Sequence, residues 1–365
     1  MTLVDLPAVP GLGGLYARGA ASTGRLALAR RTGSAPVELP ATAYRVRGVR
    51  ASLDHLAAYQ RLVGEEASDT LPPGLVHVLG FPLAIALMAR TDFPLPMLGM
   101  VHLANLVEQR RAIGYDETLD VTASADRLRP HRTGTQVDLV VEAAVDDEVV
   151  WRGVSTYLAK GVHLPSDERA SDDERAPFEP PLPTGQWQLA ADTGRRYAAV
   201  SGDRNPIHLS PLTAKAFGFP RTIAHGMYTA ARLLADAGRG RGDAFVWSVD
   251  FVKPVLLPAT VATSVRHRPG GGFDLAAWHP RSGKPHALAS VAPPPLTPPN
   301  RRPDRPSAAW STAPPPATPP LLRLSATRPG ATPGSSTIQP RSRSTIRRAG
   351  RPTIQPRPRR CSGYP

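Results

Sequence analysis

The body of this chain repeats itself, and that constrains its architecture more than any single motif. Moved along by 138 residues, Asp54 falls on Asp192, Tyr59 on Tyr197, Gly64 on Gly202 and Glu65 on Asp203. The same displacement lays Gly80-Phe81-Pro82 on Gly218-Phe219-Pro220 and Ile85-Ala86 on Ile223-Ala224. A displacement of 124 matches Asp126-Arg127-Leu128-Arg129-Pro130 with Asp250-Phe251-Val252-Lys253-Pro254, so the first copy is expected to have the longer middle connection. Two copies of one unit are predicted, at 41–165 and 185–291. An N-terminal extension (1–40) precedes them, an acidic, Pro-rich linker (166–184) joins them, and a tail (292–365) follows.

Each copy reads alike. A short strand (44–49 in the first, 187–189 in the second) leads into a helix with Asp54 or Asp192 as the candidate N-cap. A loop and a second helix follow. In the second copy this helix is HGMYTAARLLADAG, with Met227, Ala230, Ala231, Leu234 and Ala237 at helical spacing and Gly238 as its stop. Strand-like runs close each unit, among them 136–145 and 148–160 in the first copy and 245–257, 259–267 and 273–280 in the second. One apolar helix followed by antiparallel strands implies a sheet wrapped around that helix, an α+β unit. A lone sheet of this kind leaves an edge unpaired, so the two copies are expected to pack side by side as a pseudo-dimer.

Charge and proline separate the tail from the body. Residues 291–365 hold 13 Arg, no Lys, one acid (Asp304) and 19 of the 42 prolines. The remaining residues carry 31 Lys and Arg against 29 Asp and Glu, so the folded part is close to neutral. The tail cannot bury enough apolar surface to offset chain entropy and is expected to be disordered. The repeat TIQPR at 337–341 and 353–357 marks it as low-complexity, either a genuine extension or out-of-frame translation of a GC-rich gene. Any nucleic-acid affinity would reside there and be non-specific. The single cysteine, Cys361, excludes an internal disulfide and any Cys-based metal site, and fits a reducing cytoplasm. Neither a secretory leader nor a membrane-spanning run is visible, so a cytoplasmic protein with no membrane association is expected.

The chemistry concentrates in Tyr197-Ala-Ala-Val-Ser-Gly-Asp203-Arg-Asn-Pro-Ile-His208, followed by Gly218-Phe219 and Ile223-Ala-His-Gly-Met227. Gly202 permits a tight turn and Asn205-Pro206 forces the chain out of helix, which leaves a carboxylate and an imidazole five residues apart on one loop. Imidazole is suited to proton transfer near neutral pH, and a carboxylate can position a water. His225-Gly226 opens a helix, whose unpaired N–H groups favour a developing oxyanion.

The string SGDxNPIH followed by GFxxxIAHGM resembles the signature of the MaoC-like, R-specific enoyl-CoA hydratases, over about 30 residues. A broader resemblance to the double hot-dog members of that family, in which a degenerate N-terminal copy precedes an active one, covers roughly residues 40–291. The resemblance implies reversible hydration of trans-2-enoyl thioesters to (R)-3-hydroxyacyl thioesters. Asp203 and His208 would hold and activate the water, and the Gly226 amide would polarise the thioester carbonyl. Ser201 and Asn205 would brace the loop, and His225 would orient the helix start. Lys253, Arg281 and Lys284 are the candidates to meet phosphates of coenzyme A. No cofactor is expected beyond the carrier, coenzyme A or acyl carrier protein. Nor is a metal, since the histidines lack ligand spacing. A homodimer of double hot-dog chains would be compatible with the family.

The first copy departs from the pattern. The displacement puts Glu65 at the place of Asp203, Thr70 at that of His208 and Leu87-Met88 at that of His225-Gly226, so this half is read as non-catalytic. The alternatives are a non-catalytic acyl-thioester-binding hot-dog protein and a hot-dog thioesterase.

Overall fold

The computed structural model describes residues 1–166 and 177–294. The middle of the predicted linker and the tail from residue 295 lie outside the described residues, and with them the expectations of disorder and of out-of-frame sequence.

The first copy contributes strands β2 (Thr42–Val49), β3 (Val101–Gln109), β4 (Leu119–His131), β5 (Gly134–Val145) and β6 (Glu148–Lys160). The second contributes β7 (Gly185–Leu189), β8 (Phe245–Phe251), β9 (Ala259–His267), β10 (Phe273–Trp278) and β11 (Pro285–Ala292). With β1 (Thr2–Asp5) they form one sheet in the order β1-β2-β4-β5-β6-β3-β8-β11-β10-β9-β7. Read outward from the middle, the two halves are the same: β3-β6-β5-β4-β2 on one side, β8-β11-β10-β9-β7 on the other. The seam is the antiparallel pair β3–β8, from Ala104 opposite Asp250 to Gln109 opposite Phe245. The edge that each half would otherwise expose is thus capped by the other half.

Each half has its own central helix. In the first, α3 (Pro73–Met88) is apolar on every face save for His77 and almost wholly buried, and it packs against β4 and β5. In the second, α6 (Gly226–Asp236) buries Met227, Ala230, Ala231 and Leu234 and packs against β10 and β11, with Ala231 close to Gly74 of α3. A helix without a polar face must be enclosed, and the sheet supplies the enclosure. This is the double hot-dog arrangement. Shorter helices α2 (Leu53–Val63) and α4 (Thr193–Ser201) precede them, and α5 (Pro211–Ala216) lies between α4 and α6.

The structure corrects the internal alignment. Gly64 and Gly202 both end a helix at positive φ, 79° and 72°, so they are equivalent as expected, and Glu65 stands where Asp203 does. Beyond them a single displacement fails. The bridges Thr70–Gly114 and Ile223–Leu256, with Leu71 N–H donating to Ile113 O and Ala224 N–H to Val255 O, mark matching places before the two central helices. Pro72-Pro73, rather than Leu87-Met88, therefore occupies the helix start that His225-Gly226 occupies in the second copy. Thr70 matches Ile223, and His208 has no counterpart. The second copy has an inserted segment here, the 3-10 turn Pro206–His208 plus α5, which a constant shift cannot accommodate. Gly80-Phe81-Pro82 lies inside α3, so its likeness to Gly218-Phe219-Pro220 is coincidental. The match of 126–130 with 250–254 is also coincidental, because β4 corresponds to β9 and not to β8. The first copy does have the longer connection after its central helix, 89–100 against 237–244.

Two caps also differ from expectation. Ser52, whose Oγ accepts the His55 N–H, caps α2 in place of Asp54, and Asp192 starts α4 without a side-chain cap bond. The N-terminal 40 residues are part of the fold. β1 pairs in parallel with β2, and α1 (Leu12–Arg31) buries Leu15, Gly19 and Leu26. No helix among the described residues is long and apolar enough to cross a membrane.

Glu65 shows what the first copy made of its equivalent carboxylate. Its Oε2 accepts from Arg241 Nη2 at 3.0 Å, with both side chains largely buried. Burial pushes its carboxyl up while Arg241 opposes it. Glu65→Gln leaves that guanidinium without its counter-charge, so a loss of about 1–3 kcal/mol of unfolding free energy is expected with kcat within about twofold of wild type. Denaturant unfolding and steady-state rates on one preparation would separate the two. A catalytic loss as large as that of Asp203→Asn would mean the active half has been misassigned.

Candidate active site

Local chain chemistry builds the loop that carries Asp203 and His208. Gly202 turns the chain out of α4, its N–H closing on Ala198 O. Ser201 Oγ donates to Tyr197 O at 2.9 Å and accepts the Asp203 N–H at 3.2 Å. Asn205 Oδ1 accepts the Ile207 N–H at 3.5 Å and starts the 3-10 turn, whose first residue, Pro206, has no N–H to lose. Thr213 Oγ1 on α5 donates to Pro206 O at 2.6 Å and ties the turn down from the far side. Gly194 on α4 lets the His208 backbone come close, since a Cβ there would collide with His208 O.

Three side chains converge. His208 Nδ1 lies 2.8 Å from Ile223 O; a carbonyl can only accept, so Nδ1 carries the hydrogen and Nε2 keeps a lone pair. His225, the N-cap residue of α6, donates from Nε2 to Asp203 backbone O at 3.0 Å, with Asp203 Oδ2 at 3.7 Å from the same nitrogen. The two imidazoles stack with centroids 3.6 Å apart. One potential ligand atom from each of Asp203, His208 and His225 lies within 4.8 Å of the others, a spacing a divalent ion could also use, although each ring already commits one nitrogen to a carbonyl oxygen.

Electrostatics sharpen the division of roles. Burial pushes the Asp203 carboxyl up, but the His225 and His208 rings, the Tyr16 hydroxyl and the Asn205 N–H outweigh it, and the group is held below its ordinary value. Burial drives His208 below its ordinary value against the pull of Asp203 and Ile223 O. Burial and the adjacent His208 take His225 down to about 3. Near neutral pH the site is a carboxylate beside two neutral imidazoles, which can hold a water by two acceptors and take a proton from it.

Gly226 follows as the first residue of α6. Its N–H is among those a helix start leaves without an intrahelical partner. A Cβ on it would meet the Phe251 ring at 3.1 Å, so the position is kept open by the absence of a side chain. Lys253, Arg281 and Lys284 are exposed. Lys253 follows β8 and its carbonyl accepts from His286 Nδ1, while Arg281 and Lys284 lie in the β10–β11 turn, where His279 N–H donates to Lys284 O. Lys284 borders a surface pocket of about 380 Å³ shared with Phe178, Val252 and Leu288.

Other residues at the site were not anticipated. Tyr16 on α1 donates to Asp203 Oδ1 at 2.6 Å. His77 on α3, His102 on β3 and Tyr157 on β6 all come close enough to Asp203 to feel its charge, and His102 stacks on Tyr157 with centroids 4.4 Å apart. The first copy thus supplies one wall of the second copy's site. The leucines Leu12, Leu15 and Leu26 hinted at a helix around Tyr16, but nothing in the sequence tied it to residue 203.

Residues 173–272 match the family model described as MaoC like domain. The chain is 39% identical over 237 residues to 3-hydroxyacyl-thioester dehydratase X of Mycobacterium tuberculosis, covering 65% of this chain and 84% of that protein. It belongs to the MaoC-like dehydratase family. The crystal structure of the same mycobacterial protein, HtdX, superposes with a TM-score of 0.61 at 36% identity, over 69% of this chain and 99% of that one. A shorter stretch is 34% identical over 83 residues to the peroxisomal hydratase-dehydrogenase-epimerase of Saccharomyces cerevisiae, and spans only 9% of that longer protein. As a MaoC-like dehydratase, the chain is a hydro-lyase, with its family match centred on the second copy.

Proposed function

We propose that this MaoC-like enzyme reversibly hydrates trans-2-enoyl thioesters to (R)-3-hydroxyacyl thioesters. The observation that carries the reading is the convergence of the Asp203 carboxylate and the unprotonated Nε2 of His208 on one loop, ahead of the helix start at Gly226. Asp203 Oδ2 and His208 Nε2 hold a water. As its oxygen bonds to the β-carbon the pair takes one proton, and it hands one proton to the α-carbon, so it ends in its starting state. The Gly226 N–H and the α6 dipole stabilise the negative charge that builds on the thioester oxygen. Ser201 and Asn205 act by bracing the loop, and His225 by holding Asp203 O and stacking on His208.

The carrier is coenzyme A or acyl carrier protein, no further cofactor or metal takes part, and Lys253, Arg281 and Lys284 are the cations proposed to meet the carrier's phosphates. The single cysteine supports a reducing, cytoplasmic setting. A homodimer of whole chains is proposed as the assembly, in keeping with the family. Loss of enoyl-thioester absorbance on adding the enzyme to short- and long-chain enoyl-CoA tests the reading. Turnover that persists in a chelator is expected. Tight binding without turnover would instead identify a non-catalytic acyl-thioester-binding protein.

A further inference from the structure

The N-terminal helix α1 reaches the carboxylate at the centre of the site across 187 residues of sequence. We propose that Tyr16 is a positioning residue of this site, fixing one oxygen of Asp203 so that the other faces the water. The proposal rests on the hydratase reading above.

The geometry supports it from both ends of the contact. Asp203 Oδ1 accepts from Tyr16 at 2.6 Å and from the Asn205 N–H at 3.1 Å, which occupies both its lone pairs. Among the described residues Oδ2 has no such donor; its neighbour is His225 Nε2 at 3.7 Å, whose hydrogen goes to Asp203 backbone O. The helix is seated against the same loop, because a Cβ on Gly202 would lie 2.6 Å from Leu12 Cδ1. Next to Tyr16, Leu15 is buried, and Gly19 admits the Met97 side chain. Tyr16 therefore has a fixed approach to Asp203.

The groups facing Asp203 are the His208 and His225 rings, the Tyr16 hydroxyl and, from the first copy, His77, His102 and Tyr157. Tyr16 itself faces Asp203 and Tyr157, and burial followed by the Asp203 charge pushes its phenol far up, so it remains a donor. Its hydrogen bond favours ionised Asp203. Without it the carboxyl takes up a proton at higher pH, and the acidic limb of kcat moves upward.

Tyr16→Phe keeps the ring and removes the donor. In the full chain it is expected to lower kcat about 10–100-fold with KM within about threefold, and to move the acidic limb to higher pH. Carbon-13 NMR of labelled aspartate, with the resonance assigned by its loss in Asp203→Asn, should show the same upward move without turnover. Leu12→Ala, which loosens the seat of α1 on Gly202, should shift the limb in the same direction by less. Leu28→Ala, on the exposed side of α1, should change neither. An active wild type with unaltered kcat and acidic limb in Tyr16→Phe overturns the proposal. An inactive wild type overturns the hydratase reading instead, and the NMR titration then decides the role of Tyr16: an unmoved Asp203 resonance overturns it.

Discussion

Asp203→Asn and His208→Ala are each expected to lower kcat at least about 100-fold while the fold persists, since positioned acid–base groups typically contribute 10²–10⁴-fold. The asparagine keeps the size of Asp203 and its ability to accept from Tyr16 and from the Asn205 N–H, but it carries no charge and cannot take a proton. The alanine removes Nε2 together with the Nδ1 bond to Ile223 O. Because both groups act on one water, the double variant should lose far less than the product of the single losses. Steady-state rates on an enoyl thioester, with circular dichroism to check folding, measure all three. If each single change left the rate intact, the binding-protein alternative would replace the hydratase.

The second large effect is on stability. His225 and His102 are held down to about 3 and His77 to about 4, in each case first by burial, against an ordinary value of 6.5. The unfolded chain protonates these rings below about pH 6.5 while the folded chain does not, so stability is full above that pH and is lost as pH falls toward 3–4. Each ring kept neutral costs about 2 kcal/mol at pH 5, so the three together remove roughly 4–6 kcal/mol of unfolding free energy between about pH 7.5 and about pH 5. That is a large share of a typical domain's stability. Denaturant midpoints at the two pH values test it, and His77→Gln should make the dependence shallower. Equal midpoints would show that these rings already titrate in the folded protein.

The internal repeat, the strand-like runs that close each copy and the helical spacing of Met227, Ala230, Ala231 and Leu234 made the architecture legible, because the runs and the spacing follow from which faces must be buried. The loop from Ser201 to His208 was legible too, since Gly202, Asn205 and Pro206 restrict the backbone locally. What escaped is non-local. Tyr16, His77, His102 and Tyr157 reach Asp203 only because α1 packs beside α3 and because β3 pairs with β8. No short-range pattern encodes those approaches. The insertion in the second copy was misread for a related reason: matching short strings at a constant offset assumes that equal spacing means equal place. The paired bridges at Thr70 and Ile223 show where that assumption breaks.

The β3–β8 seam also alters the thermodynamics of assembly. Two separate chains meeting at such an edge would come apart on dilution, and their half-sites would be complete only above a threshold concentration. Here the halves share one backbone, so each sees the other at an effective concentration fixed by the tether and not by expression level. The wall formed by His102 and Tyr157 is therefore present beside Asp203 even in a single molecule. The covalent link has an evolutionary side as well. In a symmetric pair every substitution appears twice, whereas in one chain Glu65 could become half of an ion pair while Asp203 kept its place beside two imidazoles.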